Sequence, residues 1–152
     1  MGENTAYRVV AHGTPLPLSP TIRDDVFRVA REAVVNAFLH AHAENIEVEV
    51  EYAKRFFRVL VRDNGRGIDS RVLDAGREGH WGLPGMRERS ENIGASLKLR
   101  SRVGAGTEVE LTVPGTIAFA GPSRNVLSLW RFRSAREKPG NDVSSTEKQE
   151  RE

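Results

Sequence analysis

The 152-residue chain carries 23 Lys and Arg against 21 Asp and Glu, a formal net charge of +2, which leaves no electrostatic case for nucleic acid as the main partner. It has no cysteine, so disulfides and thiolate metal sites are excluded. No apolar run reaches the roughly 18–20 residues that cross a bilayer, and the opening MGENTAYR is too polar for a signal peptide. The expectation is one soluble, cytoplasmic domain with no membrane contact of its own.

In chain order, AYRVVAHG (6–13) reads as a short strand and TPLPLSP (14–20) as a proline-rich connector. A long helix follows, with Ser19 as N-cap and Pro20 at its first position, where a missing N–H costs nothing. Ile22, Val26, Val29, Ala33 and Ala37 recur at helical spacing and mark its buried stripe. In ENIEVEVEY (44–52), Ile46, Val48, Val50 and Tyr52 alternate with Glu47, Glu49 and Glu51, the pattern of a strand packed on one side. RFFRVLVRD (55–63) is its hairpin partner. Residues 69–81 show no period and read as a mobile loop. LPGMRERSENIG (83–94) reads as a helix stopped by Gly94. SLKLRSRV (96–103) and TEVELTVP (107–114) are strands joined by the glycine turn GAG. Residues 116–133 fit either an extra packed element or a linker, and 134–152 are charged and read as a disordered tail. The predicted fold is α+β: a two-layer sandwich, its mixed, mostly antiparallel sheet carrying helices on one face.

Three constellations can carry chemistry. On the long helix, Glu32, Asn36 and His40 stand at four-residue steps, so at about 100° per residue they line one ridge at the rim of the apolar stripe. A carboxylate, an amide and an imidazole in a row can hold a hydrated Mg²⁺ and meet a phosphate, or simply form the polar flank of an amphipathic helix. In VLVRDNGRGID (59–69), Asp63 stands where an apolar strand ends. The Asp63-Asn64-Gly65 step reads as a turn in which Asn and Gly accept positive φ cheaply. It is either a hairpin turn or a carboxylate beside glycines that admit a flat ligand. GHWGLPGM (79–86) leads into a helix whose first N–H groups suit an anion. Thr107, just after GAG, can reach a ligand beside Asp63.

In this order, REAVVNAFLHA (31–41), DNGRGI (63–68), GHWGLPGMRER (79–89) and GAGTEVEL (104–111) resemble the ATP-binding domain of sensor histidine kinases. That domain belongs to the superfamily of gyrase-type ATPases, the mismatch-repair ATPase and a heat-shock chaperone. The likeness covers residues 6–114 and points to bacterial kinases with a short ATP lid and to a Bergerat-type ATP-binding fold. It implies ATP and Mg²⁺ as cofactors. Asp63 would accept a hydrogen bond from the adenine amino group, with Thr107 joined through a water. Gly65 and Gly67 would keep Cβ atoms away from base and sugar, and Ile68 and His80 would join the nucleotide contacts. Asn36 would be a metal ligand, His40 would stand near the phosphates, and Glu32 would lie near the metal rather than act as a hydrolytic base. Residues 69–81 would form the lid, with Gly82, Leu83, Gly85 and Met86 cradling phosphate.

The resemblance also implies a phosphate-accepting histidine on a helical hairpin, usually followed by an acid. The four histidines, His12, His40, His42 and His80, precede Gly13, Ala41, Ala43 and Trp81, and none fits. The expected partners are therefore a histidine-bearing dimerisation domain of the same kinase and, through it, a response regulator. The chain would be the C-terminal part of a larger kinase and a monomer by itself. A stand-alone anti-sigma-factor serine kinase and a degenerate nucleotide-binding interaction module are the rival readings.

Overall fold

The computed structural model describes residues 5–69 and 82–119. Its elements are β1 (Ala6–His12), α1 (Pro20–His40), β2 (Asn45–Ala53), β3 (Phe56–Asp63), α2 (Leu83–Asn92), β4 (Ser96–Ser101), β5 (Thr107–Pro114) and the short α3 (Gly115–Ala118). The strands form one sheet in the order β1-β2-β3-β5-β4. β1 runs parallel to β2 and every other pair is antiparallel. This is the α+β arrangement that the one-sided alternation predicts.

Helix α1 starts where the sequence signals it. Ser19 holds an extended backbone at the N-cap, Pro20 occupies the first turn, and the Ser19 carbonyl accepts the Arg23 N–H at 2.9 Å. Ile22, Val26, Val29, Ala33 and Ala37 are its buried residues. They pack on Ile46 and Val48 of β2, Val59 and Val61 of β3, and Val109, Leu111 and Val113 of β5. Each aliphatic side chain so buried contributes about 1.5–3 kcal/mol relative to exposure. Helix α2 stops where the sequence signals it: its last helical residue is Asn92, Ile93 is the C-cap, and Gly94 just beyond adopts φ +67°. The Gly94 N–H then bonds the Glu91 carbonyl and the Ala95 N–H bonds the Ser90 carbonyl, closing the helix end. Arg89 of α2 reaches Asp25 of α1 at 3.4 Å.

The face of the sheet opposite α1 and α2 is a lattice of ion pairs. β2 presents Glu47, Glu49 and Glu51, and β3 presents Arg58 and Arg62. β5 presents Glu108 and Glu110, and β4 presents Lys98 and Arg100. Leu60, whose cross-strand neighbours are Glu49 and Glu110, is buried among them.

Residues 116–119, at the start of the segment that read as element or linker, are part of the domain. Ala118 is fully buried, its carbonyl accepts the Ser19 N–H at 3.0 Å, and Phe119 bridges to Leu18. The disordered-tail expectation for 134–152 falls outside the described residues.

Candidate functional site

Strand β3 places its carboxylate by simple alternation. Phe57, Val59 and Val61 face the helices and are buried, so Asp63, two residues on, faces the same side at the strand end. Its cross-strand partner is Thr107, the first residue of β5. Both line a cleft between the sheet, the C-terminal half of α1 and the start of α2. The cavity proper is small, about 30 Å³, and opens into about 450 Å³ of empty space including its mouth. Ala33 and Ala37 of α1 and its C-cap Ala41 form one wall, and Val61, Leu99 and Val109 form the sheet side. Three alanines one helical turn apart leave a slot rather than a filled core, a shape suited to a flat, mostly apolar ligand.

Asp63 is half-buried. Burial pushes its pKa above the ordinary aspartate value, opposed by hydrogen bonds from the Gly65 N–H, at 2.9 Å, and the Thr107 backbone. The carboxylate thus carries an incompletely compensated charge facing the slot, the condition that favours a donor from a ligand.

The DNGRG segment forms its turn by a route other than the expected one. Neither Asn64 nor Gly65 has a positive φ. The Asn64 side-chain oxygen instead accepts the backbone N–H groups of Glu44 and Asn45, at 3.0 and 2.8 Å, and ties the end of β3 to the start of β2. Gly65 is needed for a close approach: a Cβ there would lie 2.2 Å from the Ala41 carbonyl oxygen. That carbonyl ends α1 and accepts the Arg66 N–H at 2.8 Å. Gly67 is the residue with a left-handed backbone, φ +69°, and its Cβ would lie 2.0 Å from the Arg102 carbonyl. Both glycines therefore admit neighbouring backbone, where the resemblance has them clear space for base and sugar. Gly67 and Ile68 do line the cleft.

The ridge on α1 divides. Asn36 and His40 line the cleft. Glu32 stands one turn further from it, its carboxylate packed on Gly82, where a Cβ would lie 2.2 Å from Oε1. Gly82 is the N-cap of α2 with φ +61°, so Glu32 sits at the start of that helix. Among the described residues no three His, Asp or Glu side chains gather as a metal cluster. Mg²⁺ takes one or two protein oxygens and fills its shell with water and phosphate, a demand that the Asn36 amide at the cleft could meet in part, with Glu32 one turn away.

Leu83 and Met86 of α2 line the cleft. Gly85 lies between them in sequence, and a Cβ there would meet nothing within 4 Å. His80 and all but the first residue of the lid lie outside the described residues. The sequence reading missed Ser101, which bonds Thr107 and Ile68. The hairpin register was the available signal: the tight GAG turn pairs the end of β4 with the start of β5.

Residues 21–117 match the family described as histidine kinase-, DNA gyrase B-, and HSP90-like ATPase. The chain is 36% identical over 97 residues to the signal transduction histidine-protein kinase/phosphatase DegS of Bacillus subtilis, covering 64% of this chain and 25% of that protein. It is 33% identical over 97 residues to the sensor histidine kinase LiaS of the same organism, covering 64% and 26%. Among solved structures, the histidine kinase domain of the Erythrobacter litoralis EL346 blue-light activated histidine kinase aligns with a TM-score of 0.59 at 25% identity, over 73% of this chain and 56% of that one. The catalytic domain of histidine kinase ThkA shares the fold, with a TM-score of 0.61 at 19% identity over 74% and 79%. The chain spans about a quarter of the length of the curated relatives it matches.

Proposed function

The chain belongs to the family of histidine kinase-, DNA gyrase B- and HSP90-like ATPases, and from that premise we propose that its cleft holds Mg²⁺-ATP and offers the γ-phosphate to a histidine on a separate domain of a sensor kinase. The observation that carries this reading is Asp63. It is a half-buried carboxylate of raised pKa lining an apolar slot, a group that can accept from an exocyclic amine. Adenine offers such a donor; guanine presents a carbonyl oxygen there and would leave the acid unpaired, at a cost of about 1–3 kcal/mol.

The remaining residues divide the work by position. Ala33, Ala37 and Ala41 give the base room, and Val61, Leu99 and Val109 shield it from water. The start of α2 would turn its first N–H groups toward the phosphates, with Leu83 and Met86 lining the slot beside them. His40 stands on the same wall as Asn36 and can meet phosphate oxygens. Asn36 and Glu32 would hold the Mg²⁺, whose charge, when bound, neutralises the β- and γ-phosphates. Glu32 packs on Gly82 at the start of α2 and does not line the slot, so its proposed part in holding the metal rests on its place one helical turn from Asn36. Phosphoryl transfer then depends mainly on positioning and charge stabilisation. The accepting histidine and, beyond it, a response regulator are the proposed partners.

Calorimetric titration tests the reading. ATP should bind in a Mg²⁺-strengthened manner and GTP at least about tenfold more weakly. Equal affinity for the two purines, or no binding of either, would overturn it.

Gly85 gives an independent check. A glycine inside a helix costs roughly 0.5–1 kcal/mol relative to alanine, and no protein atom requires it here. Gly85→Ala should therefore raise the melting temperature by a few degrees while weakening ATP about tenfold and leaving adenosine unaffected. An unchanged ATP affinity would remove the phosphates from this helix start.

A further inference from the structure

Behind the Asp63–Thr107 pair, Ser101 makes three contacts with one hydroxyl. Its Oγ receives the Ile68 N–H at 2.8 Å, lies 3.0 Å from the Gly106 carbonyl oxygen, and lies 2.8 Å from Thr107 Oγ1. A serine hydroxyl has one hydrogen and two acceptor positions. The Ile68 N–H fills one acceptor position. The Gly106 carbonyl only accepts, so it takes the single hydrogen. The second acceptor position then receives the Thr107 hydroxyl hydrogen. Only this assignment makes all three contacts attractive, because turning the Ser101 hydrogen toward Thr107 would set two acceptors face to face at 3.0 Å.

The consequence lies in the cleft, which Thr107 lines. With its hydrogen drawn back to Ser101, the Thr107 oxygen presents lone pairs to the slot. Asp63 beside it accepts as well, so this part of the lining is a pair of acceptors of fixed sense. An amino group, or a water donating both ways, satisfies such a pair; a carbonyl oxygen does not.

We propose that Ser101, which touches no ligand itself, is the positioning residue that fixes the Thr107 hydroxyl as an acceptor and so sharpens the choice of an amino-bearing purine over an oxo-purine. This rests on the nucleotide reading given above. The same hydroxyl anchors the glycine segment to the β4–β5 turn through Ile68, so selectivity and the seating of that segment share one atom.

Freed of Ser101, the Thr107 hydroxyl can rotate and donate to a carbonyl, which relaxes discrimination. The test is titration of ATP and GTP into wild type, Ser101→Ala, Ser101→Cys and Ser101→Thr, with thermal melts alongside. Wild type should prefer ATP. The Ala and Cys variants should lose about tenfold of the ATP-to-GTP ratio, mostly by gaining GTP affinity, and Thr, which restores a hydroxyl, should recover it. Cys keeps the side-chain volume while its thiol donates and accepts weakly, so it remains informative if Ala loosens the strand end. A purely structural serine would weaken both nucleotides together; an unchanged ratio in the Cys or Ala variant overturns the proposal. Should wild type bind neither nucleotide, or both equally, the nucleotide reading itself fails, and the two failures are told apart by the wild-type titration alone.

Discussion

Asp63→Asn should lower ATP affinity on the order of 100-fold while the fold persists. The asparagine oxygen can still accept the Gly65 N–H that Asp63 Oδ1 accepts now at 2.9 Å, so the turn keeps its anchor. Its amide nitrogen, however, puts a donor where the carboxylate offers only acceptors, and an adenine amino group then meets another N–H. Stability should hold or rise slightly, and the sign follows from linkage. Burial raises the Asp63 pKa in the folded state, so the folded chain holds that proton more tightly than the unfolded one. The contribution of Asp63 to stability is therefore present below the ordinary aspartate value, falls as pH climbs from there through the raised folded-state value, and stays lowered at neutral pH. Removing the charge removes that penalty. Wild-type ATP affinity should in turn decline on acidification as the raised Asp63 pKa is approached, whereas the Asn variant, with nothing to titrate there, should be flatter in the same range. Calorimetric titrations across pH, with melts of both proteins, provide the check; an Asn variant that binds as wild type does would dismiss Asp63 as the purine contact.

Gly106→Ala should destabilise the domain by about 3 kcal/mol or more. Gly106 holds φ +81°, and a Cβ would lie 1.9 Å from the Asp63 carbonyl oxygen and 3.0 Å from the Asn64 Cα. Both obstacles are backbone and cannot swing aside. Gly104 supplies the comparison within the same turn: its φ is +77°, but a Cβ would meet nothing within 4 Å. Gly104→Ala should bear only the left-handed backbone penalty, about 1 kcal/mol. Chemical denaturation of both variants isolates the close approach as the difference, and equal losses would show that this approach relaxes freely. Because the displaced atoms belong to Asp63 and Asn64, the Gly106 variant should also bind ATP poorly under conditions where it remains folded.

The parts of this molecule that follow from local periodicity were legible in the sequence. The buried stripe of α1 matches its five expected residues, and alternation along β3 alone puts Asp63 on the helix side of the sheet. What escaped depends on atoms distant in sequence. Gly65 answers to a carbonyl at residue 41 and Gly67 to one at residue 102, so their spacing suggested a ligand where backbone was the neighbour. Glu32 shares a ridge with Asn36 and His40 by helical geometry, yet its direction is set by Gly82, on another element. Ser101 looks like an ordinary strand residue until the β4–β5 register sets it beside Thr107. The inclusion of residues 116–119 in the domain rests on contacts with Leu18 and Ser19, nearly a hundred positions earlier, and no local pattern announces it.

The charges on the sheet face opposite α1 and α2 bear on how the chain chooses its topology. Each strand there is of one sign, so neighbours must alternate: acids on β2, arginines on β3, acids on β5, bases on β4. When the β4–β5 hairpin docks on β3, there are two ways round, with β5 inside or with β4 inside. Only β5 brings Glu108 and Glu110 toward Arg58 and Arg62; the reversed hairpin would set Lys98 and Arg100 there, like against like. Exposed pairs are each worth only about 0.2–1 kcal/mol, but the alternative loses them together and adds repulsion. The surface thus encodes which way round the last hairpin lands, and with it whether Thr107 arrives beside Asp63.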